Sequence, residues 1–177
     1  MLARIARNRG YKVAGLLAEA LYHDGTLVGF DAVDLQTAAR EPLARFRFSD
    51  RITGLSCKSD QRKARTGRFT FLEEGLRLGA AALDPTATRS VDLIVVDEFG
   101  PLELDGQGWR KNVDILVESG KALLLLVVRQ RLGEQVQRLY ARVPSVQLAA
   151  SEPESIQRVL SMLSVRRQSV ARNMTPQ

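Results

Sequence analysis

Apolar residues recur along the chain at two spacings, one typical of helices and one typical of strands. The helical spacing predicts helices at Met1–Arg9, Phe71–Leu83, Trp109–Val117, Leu132–Val143 and Ile156–Leu163. Short alternating or continuous apolar runs predict strands at Lys12–Ala18, Leu27–Leu35, Pro42–Phe48, Val91–Val96, Ala122–Val128 and Ser145–Leu148. Residues 49–66 are polar and basic and predict a long loop.

The order of these segments predicts an α/β fold. From about Leu93 onward strands and helices alternate, which favours a mostly parallel sheet with helices on both faces. The turn residues His23-Asp24-Gly25 indicate an antiparallel hairpin near the N-terminus. The run Ala122–Val128 is apolar throughout, as in a central strand buried on both faces. We expect one domain over residues 1–165, followed by a basic flexible tail over residues 166–177.

Charge is unevenly placed along the 177 residues, which carry 26 Lys+Arg and 20 Asp+Glu. Bases dominate in residues 1–12, 51–70 and 165–177. Such clusters can attract the phosphate of a nucleotide, a nucleic acid or a membrane, and the competing reading is solvated surface with a loose tail, which is the preferred reading of the tail itself. The longest apolar runs are far shorter than the roughly 20 residues of a membrane span. A single cysteine, Cys57, excludes an intramolecular disulfide. These features predict a cytoplasmic protein that does not contact a membrane.

Two adjacent acids, Asp97 and Glu98, follow the apolar strand Val91–Val96 directly. In an open α/β sheet the carboxyl ends of the strands face the ligand crevice. One acid there can hold Mg²⁺ through its water shell, and the other can orient and deprotonate an attacking water. From the pattern alone, a strand that simply ends in two solvated acids is an equally good reading.

The stretch DEFGPLEL from Asp97 to Leu104, followed by Gly106, Gly108 and Trp109, resembles the DEIGPLEL…GxGW segment of a P-loop nucleoside-triphosphatase family. Weaker similarity covers Gly15–Leu35, Gly67–Phe71 and Leu126–Arg129, so the resemblance extends over roughly Leu2–Val165. It implies a RecA-like or kinase-like P-loop fold. It also implies Mg²⁺-dependent hydrolysis of nucleoside triphosphates, such as ATP and GTP, to diphosphate and phosphate.

The resemblance also implies roles for individual residues. Asp97 is similar to the magnesium-associated acid of a Walker B strand, and Glu98 to the residue that polarises the attacking water. Arg129, after the Ala122 strand, would stabilise charge on the transferring phosphoryl group. Three further residues have possible roles in this site: Glu19 as an acid near the metal, and Arg65 and Arg68 as contacts to the triphosphate. Solvated surface is the competing reading for Arg129, Arg65 and Arg68.

One element of the family pattern does not occur in the sequence: the phosphate-binding loop GxxxxGKS or GxxxxGKT. In the family this loop precedes the helix that Met1–Arg9 resembles, and its strand lies inside the sheet beside the counterpart of Ala122–Val128. We therefore expect a member that lacks its central P-loop strand through truncation of roughly 15–25 residues, a strand being about 5–6 of them. Such a chain would hydrolyse nucleotide weakly or not at all.

The alternative to truncation is a relative that never had the loop. Such a protein would bind RNA, another polyanion or a protein. Nucleic acid is a less favoured partner than nucleotide on this reading. Base preference and oligomeric state stay open.

Overall fold

A single mixed sheet runs through the part of the chain that the computed structural model describes, residues 1–46, 65–66 and 69–173. Seven strands lie in the order β4-β5-β3-β2-β1-β6-β7. They are β1 (Val13–His23), β2 (Thr26–Asp34), β3 (Arg40–Phe46), β4 (Arg65–Thr66), β5 (Phe69–Phe71), β6 (Leu93–Asp97) and β7 (Leu123–Val127). The helices are α1 (Leu2–Asn8), α2 (Glu73–Ala82), α3 (Pro101–Leu104), α4 (Arg110–Ser119), α5 (Gly133–Leu139) and α6 (Pro153–Asn173), with a 3₁₀ turn at Gln130–Leu132.

The sheet has a parallel part and an antiparallel part. β1, β6 and β7 run parallel to one another, as the alternation from Leu93 onward predicts. β2, β3, β5 and β4 extend the sheet from β1 by antiparallel pairing. The predicted α/β fold is confirmed, but the described sheet is not mostly parallel. β1, β2 and β3 follow one another through short turns, and strands joined in this way pair antiparallel.

Helices cover both faces of the sheet, as predicted, and a hydrophobic layer lies between the sheet and the helices on each face. Successive strand residues point to opposite faces, so Ile94 and Val96 of β6 pack in one layer while Leu93 and Val95 pack in the other. The first layer takes in α2, α4 and α5, and the second takes in α1 and α6. Within the described residues, no helix has both the length and the apolar character of a membrane span.

Gly15 sets the close approach between β1 and β6. Its φ is +112°, and a Cβ built there would lie 2.0 Å from the Val95 carbonyl oxygen, so only glycine fits. At the other end of the strand, His23 pairs with Thr26 across a two-residue turn. Asp24 and Gly25 both have positive φ, which is the backbone of the tight hairpin turn that the sequence predicts.

Three expectations from the sequence need correction. The Ala122–Val128 run forms β7, but its leucines are half-buried because β7 pairs only with β6 among the described strands. The segment Ser145–Leu148 forms no strand. The residues from 166 to 173 are not a flexible tail: they are helical, and Arg167 contacts Tyr11, Gly10 and Asp92.

Candidate active site

The paired acids lie where the sequence predicts, at the carboxyl end of β6. Asp97 is the last residue of the strand and Glu98 follows it through a cis peptide bond. β1 and β7 flank β6 in parallel, so all three strands present their carboxyl ends at the same edge of the sheet. In open α/β sheets this edge is where ligands bind.

Arg129 follows the neighbouring strand β7 and forms an ion pair with Glu98. The Nε atom of Arg129 lies 2.7 Å from Oε1 of Glu98, and Nη2 donates a hydrogen bond of 3.3 Å to Oε2. The Nε–H group is not aimed at Oε1, and that oxygen is buried without a hydrogen bond among the described residues. The structure therefore brings together the two residues predicted to be catalytic, and it leaves one carboxylate oxygen of Glu98 able to accept a further donor.

Asp97 is half-buried and carries little local compensation for its charge. Burial raises its pKa, and the neighbouring charge of Glu98 raises it further. A bound cation would favour the ionised form, and carboxylate oxygen is a ligand that Mg²⁺ prefers. Within the described residues no three acidic, histidine or cysteine side chains converge on one point. This donor set fits a cation that takes few protein ligands and keeps several waters.

Glu19 lies on β1, on the same face as Asp97, but its side chain is engaged elsewhere. The pairing of Leu16 with Val96 places Leu17 next to Asp97, and Glu19 two positions beyond Leu17. The Glu19 carboxylate contacts the guanidinium of Arg40, which also reaches Asp31. A role near the metal stays a prediction for Glu19, because the structure shows this acid in an ion pair and not beside Asp97.

Of the two arginines predicted to contact triphosphate, the structure describes Arg65, whose strand lies far from the acids. Arg65 lies in β4, where its backbone pairs with Thr70 at the far edge of the sheet. Four strands separate β4 from β6, a span of about 24 Å along a flat sheet. Arg68 and most of the basic loop, residues 47–64, lie outside the described residues. Nucleotide contacts by Arg65 and Arg68 therefore stay predictions.

The turn after Glu98 is built from buried groups to which sequence analysis assigned no role. Phe99 is fully buried, and its N–H donates to the Val127 carbonyl (2.9 Å), which ties the ends of β6 and β7 together. The Phe99 ring packs edge-on against Tyr140, whose hydroxyl donates to Asp114 (2.8 Å). Burial and the adjacent Asp114 carboxylate raise the Tyr140 pKa. These contacts fix the position of the turn that carries Glu98.

Glu103 belongs to the segment that carries the family resemblance, but sequence analysis assigned it no contact in the site. It is only 3% exposed, and its carboxylate accepts hydrogen bonds from the backbone N–H groups of Gly100 (3.0 Å) and Trp109 (3.4 Å). Burial raises its pKa, and the bonds from those N–H groups oppose the rise. The spacing of Gly100 and Glu103 is that of a residue before a helix and the acid that caps it, and this signal could have identified the contact.

Comparisons with known proteins identify the family of this chain. The family model described as NTPase matches residues 1–160. The nucleoside-triphosphatase THEP1 of Archaeoglobus fulgidus is 32% identical over 130 residues, which cover 71% of this chain and 67% of the relative. THEP1 of Methanosarcina barkeri is 28% identical over 137 residues, covering 77% of this chain and 70% of the relative.

Two solved structures share the fold. THEP1 from Aquifex aeolicus aligns with a TM-score of 0.64 at 17% identity, over 92% of this chain and 90% of its own. A human cancer-related nucleoside triphosphatase aligns with a TM-score of 0.60 at 20% identity, over 95% of this chain and 88% of its own. Both have sequences too distant to show more than the fold. Since the family model covers most of the sequence, the chain belongs to the NTPase family, a family of P-loop nucleoside-triphosphatases.

Proposed function

We propose that this chain hydrolyses the terminal phosphoanhydride bond of nucleoside triphosphates such as ATP and GTP, with Asp97 and Glu98 at the reaction centre. The observation that carries the proposal is the Asp97–Glu98 pair at the carboxyl end of β6, with Arg129 in contact from the neighbouring strand. Family membership makes triphosphate the expected substrate class.

Asp97 would hold Mg²⁺, directly or through a coordinated water. The ion, when bound, supplies positive charge that neutralises phosphate oxygens and orients the triphosphate. Its presence would also offset the burial of the Asp97 charge. Glu19 could join this site only by giving up its contact with Arg40.

Glu98 would act as the base that positions and deprotonates water. The water oxygen forms a bond to the γ-phosphorus, the bond from that phosphorus to the bridging oxygen breaks, and the diphosphate leaves with the electron pair. The water proton passes to the Glu98 carboxylate and then to solvent. Arg129 lies within reach of the same carboxylate, and its guanidinium would spread charge from the phosphoryl oxygens in the transition state.

Phosphate binding is the part of the site that this sequence supplies least well. Nowhere in the 177 residues does GxxxxGKS or GxxxxGKT occur, and in P-loop enzymes that loop supplies backbone N–H groups and a lysine to the phosphates. β7 keeps one edge unpaired among the described strands, and this is the edge that a further parallel strand would join. For this reason we expect weak turnover by the chain alone, and stronger turnover once such a segment is added.

Phosphate release from Mg²⁺-ATP and Mg²⁺-GTP tests the proposal. We would compare the chain with a form that carries, at its N-terminus, the GxxxxGKS/T segment of a relative. The extended form should turn over at least tenfold faster, and Glu98→Gln should abolish turnover while nucleotide binding persists. Glu118→Gln, an exposed acid of α4, is the matched control. Wild-type turnover by Glu98→Gln, or no hydrolysis by either form, would refute the proposal.

One observation favours a second candidate function, binding of an RNA-like polyanion. An open cleft of about 570 Å³ lies at the opposite edge of the sheet from Asp97, and none of its lining residues is acidic. Arg7, Lys12 and Arg89 are among those residues, and Arg167 of α6 lies over the ring of Tyr11 beside them. The basic segments at the two ends of the chain therefore meet at one edge of the fold.

Salt-dependent RNA binding separates this second function from hydrolysis. The double variant Lys12→Gln/Arg89→Gln should weaken binding and make log Kd depend less steeply on log salt concentration, because fewer counterions are released. Arg131→Gln, an exposed base outside the cleft, should leave binding unchanged. Equal binding by all three proteins would exclude the cleft as the polyanion site.

A further inference from the structure

We propose that Glu103 is a positioning residue that holds the turn carrying Glu98 in its working orientation; the inference rests on the proposed function. Glu103 is a buried, ionisable group for which the hydrolytic mechanism above has no use. A buried carboxylate is costly unless it is well hydrogen-bonded, and replacing it by an apolar residue would fill the same core space. Its carboxylate accepts hydrogen bonds from Gly100, two residues after Glu98, and from Trp109 at the start of α4.

The first contact fixes the residue two positions after Glu98. Gly100 N–H donates to Oε2 of Glu103 at 3.0 Å, and a Cβ at Gly100 would lie 3.3 Å from Oε1 of Glu98. The backbone at Gly100 and the Glu98 carboxylate are therefore packed against each other. A shift of Gly100 has to move the Glu98 carboxylate or open space beside it.

The second contact anchors Glu103 itself to the start of α4. Trp109 N–H donates to Oε1 of Glu103 at 3.4 Å, and the Trp109 indole is fixed by its own hydrogen bond to the Leu76 carbonyl (2.9 Å). At Gly108 a Cβ would lie only 2.3 Å from Oε1 of Glu103, so a side chain at this position would displace the carboxylate. Gly108 thus leaves room for the carboxylate, which explains one glycine of the GxGW segment.

Two kinds of variant test this arrangement. Glu103→Leu removes both carboxylate oxygens that accept these hydrogen bonds, and Glu103→Gln keeps one acceptor oxygen. Gly108→Ala leaves Glu103 in place but pushes its carboxylate aside. Gly106→Ala is the matched control. Like Gly108 (φ +54°), Gly106 has a positive φ (+76°), but there is open space where its Cβ would be.

Steady-state kinetics gives the first readout. It is measured on the chain itself or on the form extended with the GxxxxGKS/T segment, whichever is more active. Glu103→Leu and Gly108→Ala should lower kcat by about tenfold to a hundredfold with KM within about twofold, since misplacement by about 1 Å has costs of this size. Glu103→Gln should recover most of the loss, and Gly106→Ala should match wild type.

Amide hydrogen exchange gives a readout that does not need turnover. In Glu103→Leu the amides of Gly100 and Trp109 should exchange at least tenfold faster, while those of Ile94–Val96 in β6 keep their wild-type rates. Unchanged exchange at Gly100 and Trp109 would overturn the inference, and so would kcat within twofold of wild type for both Glu103→Leu and Gly108→Ala. If Glu98→Gln retains full turnover, the proposed function fails instead, and the exchange data alone then decide whether Glu103 holds the turn.

Discussion

Glu98 and Arg129 come from different strand ends and meet in an ion pair, with Nε of Arg129 2.7 Å from Oε1 of Glu98. Arg129 is 45% exposed and Glu98 28% exposed, so solvent screens the pair and its contribution to stability is small. The ion pair matters for the site, because it places the positive charge of Arg129 beside Glu98, the candidate base.

Removing the Arg129 guanidinium should impair chemistry more than folding. For Arg129→Ala we expect kcat to fall by about a hundredfold to a thousandfold, the usual effect of losing one charge-stabilising group. The thermal midpoint should stay near that of wild type. Arg131→Ala, two residues later and exposed, is the control for steady-state phosphate release. Turnover within twofold of wild type would remove Arg129 from the reaction.

Gly15 should tolerate no side chain. In Gly15→Ala the new Cβ would meet the Val95 carbonyl at 2.0 Å, so β1 and β6 must separate, at a cost of about 3 kcal/mol or more. Gly25→Ala also has positive φ but open space, and should cost about 1 kcal/mol. Urea unfolding of both variants gives the comparison, and equal losses would argue against close packing at Gly15.

Tyr140 should make stability depend on alkaline pH. Its pKa is raised in the folded chain, mainly by burial, so above about pH 10 the unfolded chain loses the proton that the native chain keeps. The free energy of unfolding therefore falls as pH rises through that range. Tyr140→Phe should cost about 1 kcal/mol at neutral pH, the typical value of one hydrogen bond, and should remove this part of the alkaline decline. Parallel pH profiles for the two proteins would contradict the assignment.

Glu103 should make the free energy of unfolding fall as pH rises in the acidic range, as Tyr140 does in the alkaline range. Its pKa lies above the ordinary value of 4.5, chiefly through burial. Between that value and the raised one, the native chain binds a proton that the unfolded chain has lost, so stability declines as pH rises. Glu103→Gln cannot titrate and should lack this decline. Chemical denaturation at several pH values between 4 and 7, wild type against variant, measures the difference.

Arg167 should stabilise the fold although it lies in the segment expected to be a tail. Its guanidinium lies 4.3 Å from the centre of the Tyr11 ring, and it donates to the Gly10 carbonyl and to Asp92. Because the side chain is half exposed, we expect Arg167→Ala to cost only about 1 kcal/mol. Arg158→Ala, exposed on the same helix, should cost less than half of this in urea unfolding.

Local patterns were sufficient to predict the hairpin turn, the helices on both faces and the position of Asp97 and Glu98. Each depends on residues close in sequence: positive φ at Asp24-Gly25, or a strand that ends in two acids. The half-burial of β7, the helical state of Arg167 and the anchoring of Gly100 by Glu103 depend on neighbours that sequence does not specify. A leucine run indicates burial of its two faces, but it does not tell how many strands flank it.

The one-sided pairing of β7 has a consequence for handling the protein. Its outer edge offers a row of free backbone N–H and C=O groups next to four consecutive leucines, within the part of the sheet that is described. Edges of this kind recruit strands from other molecules, which is a common route to aggregation. Preparations should therefore lose monodispersity as concentration rises, and a peptide that adds a strand to β7 should keep them dispersed.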